Sequence, residues 1–153
     1  MIRFTRIEKE RNEFMNWKNT FSCEGNPNPK IGDNIWNVIM DGPSDSPYMG
    51  GKFRISIEFP PGYPSECPIF KFLTPICHIN INKEHICLSS LNYYEPNTSI
   101  SDILCQIFMM LTSPNEDSPY NTYIDLYNNH HEEYLRKARE MTKQYAMNNL
   151  IKK

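Results

Sequence analysis

The chain has 153 residues, 39% hydrophobic and 22% charged, the size and mix of one soluble globular domain with a sizeable core. A net charge of −2 and a pI near 6.1 leave no electrostatic footprint for nucleic acid. No apolar run approaches the roughly 20 residues of a membrane span, and the charged stretch Met1–Glu10 lacks the apolar centre of a secretory signal.

Residues 2–18 read as an amphipathic helix. Phe4, Ile7, Phe14 and Met15 mark its apolar face, and Arg6, Glu8, Lys9, Glu10 and Glu13 its solvated side. Gly25-Asn26-Pro27-Asn28-Pro29-Lys30 reads as a loop, because proline lacks an amide donor and fixes its own φ. A strand follows near Ile35–Met40, then turn formers from Asp41 to Pro47 and again at Gly50-Gly51.

Lys52–Phe59 carries the clearest strand signal: Phe53, Ile55, Ile57 and Phe59 alternate with polar residues, placing the apolar set on one face. Pro60–Pro64 ends it. Another strand is expected at Ile69–Leu73, with Pro68 at its start. Strands joined by short turns imply an antiparallel meander.

Tyr93–Asn97 reads as a loop. Asn97-Thr98-Ser99 fits a glycosylation acceptor, a chance match in a chain without a secretory signal. Ser99 reads as a helix N-cap, with Asp102 three residues on. Ile100, Ile103, Leu104, Ile107, Phe108 and Leu111 then follow helical spacing as a core stripe, with Cys105 an inert thiol on the same helix. Ser113–Pro119 breaks that helix. A short helix is expected near Asn121–Tyr127 and a longer one over 130–148, with a stripe of Tyr134, Ala138, Met141 and Tyr145 and an exposed Glu133–Lys137 pair. No repeat or linker divides the chain, so a single α+β domain over 1–153 is expected.

The chemistry concentrates between Cys77 and Leu91, where Cys77, His78, Asn80, His85 and Cys87 are interleaved with Ile and Leu. One reading is a zinc site built from Cys77, His78, His85 and Cys87. Adjacent side chains of an extended segment point to opposite faces, so at most three of these converge easily. A second reading is a nucleophilic Cys87. A thiol carries reactive anion near neutral pH without special activation, and His78 or His85 would serve as its base. With no third orienting group, an acceptor of activated acyl groups fits better than a protease, and an amide such as Asn80 suits oxyanion stabilisation. A third reading makes Cys87 one more small buried apolar residue. The five cysteines (Cys23, Cys67, Cys77, Cys87, Cys105), odd in number and irregular in spacing, read as free thiols of a reducing compartment, hence a cytoplasmic or nuclear location.

From about Arg6 to Tyr145 the order of motifs resembles the ubiquitin-conjugating (E2) family. Gly42-Pro43-Ser44-Asp45-Ser46-Pro47-Tyr48-Met49-Gly50-Gly51-Lys52-Phe53 is similar to the family's G-P-x-x-[ST]-P-[YF]-x-G-G-x-F segment. Phe59–Pro64 resembles its F-P-x-x-Y-P loop, His85-Ile86-Cys87-Leu88 the segment with the catalytic cysteine, and Pro114–Pro119 its P-N-P-x-[DS]-P gate loop.

The resemblance implies the UBC-like fold: an N-terminal helix, a four-stranded antiparallel meander, the active-site segment, then C-terminal helices. It implies that an activating enzyme (E1) hands ubiquitin, or a related modifier, to Cys87 as a thioester. The modifier then passes to a substrate lysine or to a RING- or HECT-type ligase (E3). Asn80 and His78 match the asparagine and histidine of a His-Pro-Asn motif, which implies that Asn80 organises the site and helps the oxyanion and that His78 is mainly structural, and Ser118 falls where the family has an Asp or Ser that positions the incoming lysine. Arg6 and Lys9 fall on the helix that docks the activating enzyme and ligases. Pro64, Ser65, Pro96 and Asn97 fall in the ligase-facing loops. No metal or organic cofactor is implied; ATP is used by the activating enzyme. Neither nucleic acid nor membrane is an expected partner.

The departures cluster round the site. Ile79 replaces the motif proline, the segment from Asn80 to Cys87 is one residue short, and so is that from Leu91 to Pro96. Ser89, Tyr94 and Ser65 stand where Asp, Trp and a large apolar residue are common. They motivate the alternative of a non-catalytic, E2-like (UEV-type) binding module. Ser46–Gly51 resembles ubiquitin-type members more than SUMO or NEDD8 types, whereas Cys87-Leu88-Ser89 is seen in SUMO-type members.

Overall fold

The computed structural model describes residues 2–17, 23–25, 34–116 and 123–147. Its elements in chain order are α1 (Ile2–Trp17), β1 (Cys23–Gly25), β2 (Ile35–Asp41), β3 (Lys52–Glu58), β4 (Ile69–Phe72), β5 (Ile81–Asn82), β6 (His85–Ile86), α2 (Ser89–Asn92), α3 (Ile100–Thr112), α4 (Ile124–Asn129) and α5 (His131–Met141), which runs on into a π-helical turn, Thr142–Met147. β1 to β4 form the expected four-stranded antiparallel meander. The β5–β6 hairpin adds to its far edge through β6, giving the order β1-β2-β3-β4-β6-β5.

The period-two pattern decides which face of the sheet is core. Phe53, Ile55, Ile57 and Phe59 are all buried, as are Trp36, Val38 and Met40 on β2 and Phe70 and Phe72 on β4. The rings interlock: Trp36 meets Phe59 edge-on at 4.8 Å between centroids, and Phe59 meets Tyr63 likewise at 4.8 Å. Strand pairing by Gly25 corrects the loop expected to begin there; residues 26–30 lie outside the described set.

α1 departs from its expected face. Ile7 and Phe14 are buried, but Phe4 and Met15 are exposed, and Glu10, expected on the solvated side, is 2% exposed. Helical geometry puts Arg3, Ile7, Glu10 and Phe14 on one stripe. The polar members of that stripe are satisfied by distant backbone. Arg3 donates to the Phe59 and Pro60 carbonyls at 2.9 and 3.0 Å. Glu10 accepts from the Ile100 amide at 2.7 Å and from Arg6 Nε at 2.8 Å. Ile100 opens α3, so the Glu10 carboxylate caps one orphan donor there, beside the Ser99 hydroxyl that accepts from Asp102 N at 3.1 Å. Glu10→Gln keeps the shape and one acceptor but loses the charge. It is expected to cost about 1–2 kcal/mol, read as a shifted midpoint in urea unfolding.

α3 follows its expected stripe, except that Phe108 is only half-buried and Met110 takes a buried place. On α5 the buried row runs Tyr134, Ala138, Thr142, Ala146, whereas Met141 and Tyr145 are half-buried. Gly51 lets this row close on the sheet, since a Cβ there would lie 2.7 Å from Thr142 Cγ2. The expected Glu133–Lys137 pair is replaced by Glu133–Arg136 at 2.6 Å, and Lys137 Nζ sits over the Tyr123 ring at 5.9 Å.

Candidate functional site

Two loops and the start of α2 meet at the C-terminal end of α3. Cys77, His78, Ile79 and Asn80 follow β4 as a fully buried run. Tyr48, from the Gly42–Gly51 loop, holds the run by donating to the Cys77 carbonyl at 2.6 Å. Gly42 makes room for that loop: a side chain there would run into the Tyr48 carbonyl.

The hairpin then turns through Lys83, which takes φ +57°. It returns so that the Cys87 amide donates to the Asn80 carbonyl at 2.9 Å. The shortened Asn80–Cys87 segment is thus a tight hairpin with a two-residue turn. Lys83→Gly is expected to gain about 0.5–1 kcal/mol, because glycine adopts positive φ without a Cβ penalty. A raised thermal midpoint would show it.

Both nitrogens of the His78 ring are occupied. Nδ1 accepts from the Asn80 amide at 3.0 Å, which leaves Nε2 to carry the proton and donate to the Met110 carbonyl at 2.9 Å. Burial pushes its pKa down to about 4, so the ring is neutral. His78 is therefore a cross-brace between the run and α3, and the expectation that it could serve Cys87 as a base is corrected. The Asn80 side chain is likewise committed. Its Nδ2 donates to the Asn115 carbonyl at 3.0 Å and its Oδ1 accepts from the Asn115 amide at 2.8 Å. Ile79, at the motif proline's position, is wholly buried and packs into the core.

Cys87 is half-buried in the wall of an open groove of about 600 Å³, lined also by Leu88, Phe108, Met109, Ser113 and Asn115. Burial pushes Cys77 up to about 12, and it also raises Cys67 and Cys105. His85 is exposed on β6. Among the described residues no group of three or more His, Cys, Asp or Glu side chains is placed to hold a metal ion, so Cys77, His78, His85 and Cys87 do not assemble as a ligand set.

The chain from Cys77 to Asn115 thus forms one hydrogen-bonded frame round the cysteine, with the sheet on one side and α3 on the other. This geometry and the sequence have relatives. The ubiquitin-conjugating enzyme family model matches residues 6–142. The chain belongs to the ubiquitin-conjugating enzyme family. "Probable ubiquitin-conjugating enzyme E2 31" of Arabidopsis thaliana is 36% identical over 148 residues, covering 94% of this chain and 93% of that protein. A crystal structure from Plasmodium yoelii, provisionally assigned as a ubiquitin conjugating enzyme, superposes with a TM-score of 0.83 at 30% identity, covering 94% of this chain and 95% of that one. The architecture is the α+β UBC fold of these conjugating enzymes.

The other predicted residues gather at the opposite end of α3. Arg6 donates to the Thr98 carbonyl at 2.9 Å and lies over the Tyr63 ring at 5.7 Å, so its guanidinium pins the Glu95–Thr98 loop. Tyr94, in the family's tryptophan position, donates to the Pro64 carbonyl at 2.7 Å and ties the two loops together. Lys9, Ser65, Pro96 and Asn97 are exposed round this cluster, and Pro64 is half-buried. Ile2, Arg3, Pro61 and Ser65 line a shallow groove of about 470 Å³ beside it. Ser118 lies outside the described residues.

Sequence reasoning missed three participants: Tyr48, Met110 and Asn115. Asn115 contributes only backbone atoms to the Asn80 contact, a role no residue-type pattern marks. Tyr48 was visible only as a motif letter.

Proposed function

We propose that this conjugating enzyme takes ubiquitin from an activating enzyme onto Cys87 and passes it to a substrate lysine or to a ligase cysteine. The carrying observation is that Cys87 is the described thiol set in an open groove, while Cys77 is buried and pushed up to about 12. In loading, the Cys87 thiolate attacks the modifier's thioester carbonyl. A new C–S bond forms, the old one breaks, and the activating enzyme's thiolate leaves. In discharge, an amine attacks the same carbonyl, Cys87 departs as thiolate, and the amine's proton passes to solvent.

Asn80 acts in this scheme by holding Asn115 in the groove wall. Arg6, Pro64, Pro96 and Asn97, with Lys9 and Ser65 at the margin, form the docking end for the activating enzyme and RING or HECT ligases, and Ser118, by its motif position, takes the role of positioning the incoming lysine. The enzyme works in the cytoplasm or nucleus. Charging reactions with ubiquitin, SUMO and NEDD8, each with its own activating enzyme and ATP, test the modifier: loading with ubiquitin is expected. Loading with none of the three would favour the non-catalytic binding module, a reading that draws on the Asn80 amide being engaged with Asn115.

A further inference from the structure

The gate-loop motif this chain resembles carries proline after its asparagine, but here the position is Glu116. An exposed glutamate lacks the fixed φ of a proline ring, so this end of the loop needs another restraint. One is present: the Tyr127 hydroxyl donates to Glu116 Oε2 at 3.1 Å. Burial, and then the neighbouring carboxylate, push the Tyr127 phenol up, which keeps it protonated and donating.

Tyr127 is itself firmly placed on α4. Its ring packs edge-on against His131 at 4.8 Å and against Tyr134 at 4.9 Å, and Tyr134 is buried. One residue before Glu116, both backbone groups of Asn115 are held by Asn80, and Asn115 lines the Cys87 groove. The segment that follows α3 is therefore tied at successive residues, Asn115 and Glu116, to two different elements, the cysteine segment and α4. Glu116 and Tyr127 also bracket in sequence the stretch that contains Ser118.

We propose that Glu116 and Tyr127 are a pair of positioning residues whose hydrogen bond, in place of a proline ring, sets the groove wall against which an acceptor amine approaches Cys87. This rests on the thioester reading above. An amine must be placed against that wall and lose its proton as it attacks. A small thiolate needs neither, so the pair separates the two nucleophiles.

The test uses the full-length chain, charged in advance with ubiquitin and chased with free lysine or with free cysteine. Tyr127→Phe and Glu116→Ala should each slow lysine discharge about three- to tenfold, the worth of one such hydrogen bond, and change cysteine discharge by less than about twofold. The double variant should be no slower than either single one, because both remove the same contact. Equal slowing with both nucleophiles, or additive effects, would overturn the proposal. Hydrogen exchange at the Asn115 amide gives a readout independent of activity: it should quicken in both single variants, and unchanged exchange would also overturn the pair's role. If the unmutated chain failed to charge, the thioester reading would fall, while exchange would still decide whether the tether holds the wall.

Discussion

Asn80→Ala is expected to lower the thermal midpoint by roughly 4–16 °C. The Asn80 amide is wholly buried and satisfies both the N–H and the C=O of Asn115. Alanine leaves two backbone groups without their partner and opens space beside them, together worth about 2–4 kcal/mol. In a chain of 153 residues each kcal/mol moves the midpoint by about 2–4 °C. The Ser113–Asn115 wall of the groove should loosen with it, so discharge to lysine should fall by at least about tenfold in folded protein. Differential scanning calorimetry, paired with discharge rates measured well below the midpoint, checks both parts. A variant with wild-type stability and slow discharge would instead make Asn80 a direct oxyanion donor.

Stability should fall as pH drops from about 6.5 to about 4, and His78 should account for about 3 kcal/mol of that fall. In the fold, burial holds the ring neutral with a pKa of about 4; in the unfolded chain it titrates at its ordinary 6.5. Between those values the unfolded chain binds the extra proton, so acid favours unfolding. Above about 6.5 both states are neutral and the contribution is level. Urea unfolding at pH 7, 6, 5 and 4.5 measures the slope, and His78→Gln removes the titrating group. The variant will be less stable at pH 7, because its ring contacts with Met110 and Asn80 are lost, but its pH dependence should be shallower. Parallel curves for the two proteins would show that the ring does not titrate in this window.

The frame of the molecule was legible where one residue's environment is set by its near neighbours. Alternation in Lys52–Phe59 marked β3 and its buried face, and Ser99 with Asp102 marked the start of α3. The misread elements depend on partners far along the chain. Glu10 looks like solvated helix surface until the amide of Ile100, 90 residues on, is brought to it. Phe4 and Met15 fit a helical wheel, but the stripe that docks is chosen by distant partners: the Phe59 and Pro60 carbonyls for Arg3, the Trp36 ring for Phe14 and the Ile100 amide for Glu10. β5 and β6 are two residues each, too short for any periodicity. At the site, ordered motifs marked Cys87 and Asn80. The lost proline at Ile79 and the shortened segment suggested an asparagine shifted relative to the Cys87 sulfur; the structure adds that Lys83 takes positive φ in the short turn and that the Asn80 side chain is engaged with Asn115. By residue type His78 could have been a base, whereas the family resemblance made it mainly structural; its two backbone partners, at Met110 and Asn80, agree with the second reading.

The most direct measurement is a non-reducing gel of the chain and its Cys87→Ala variant after incubation with ubiquitin, its activating enzyme and ATP. The account predicts a band heavier by one ubiquitin, lost on adding thiol and absent from the variant. A thiol-sensitive band that persists in Cys87→Ala would move the nucleophile to another cysteine and contradict the account at its centre.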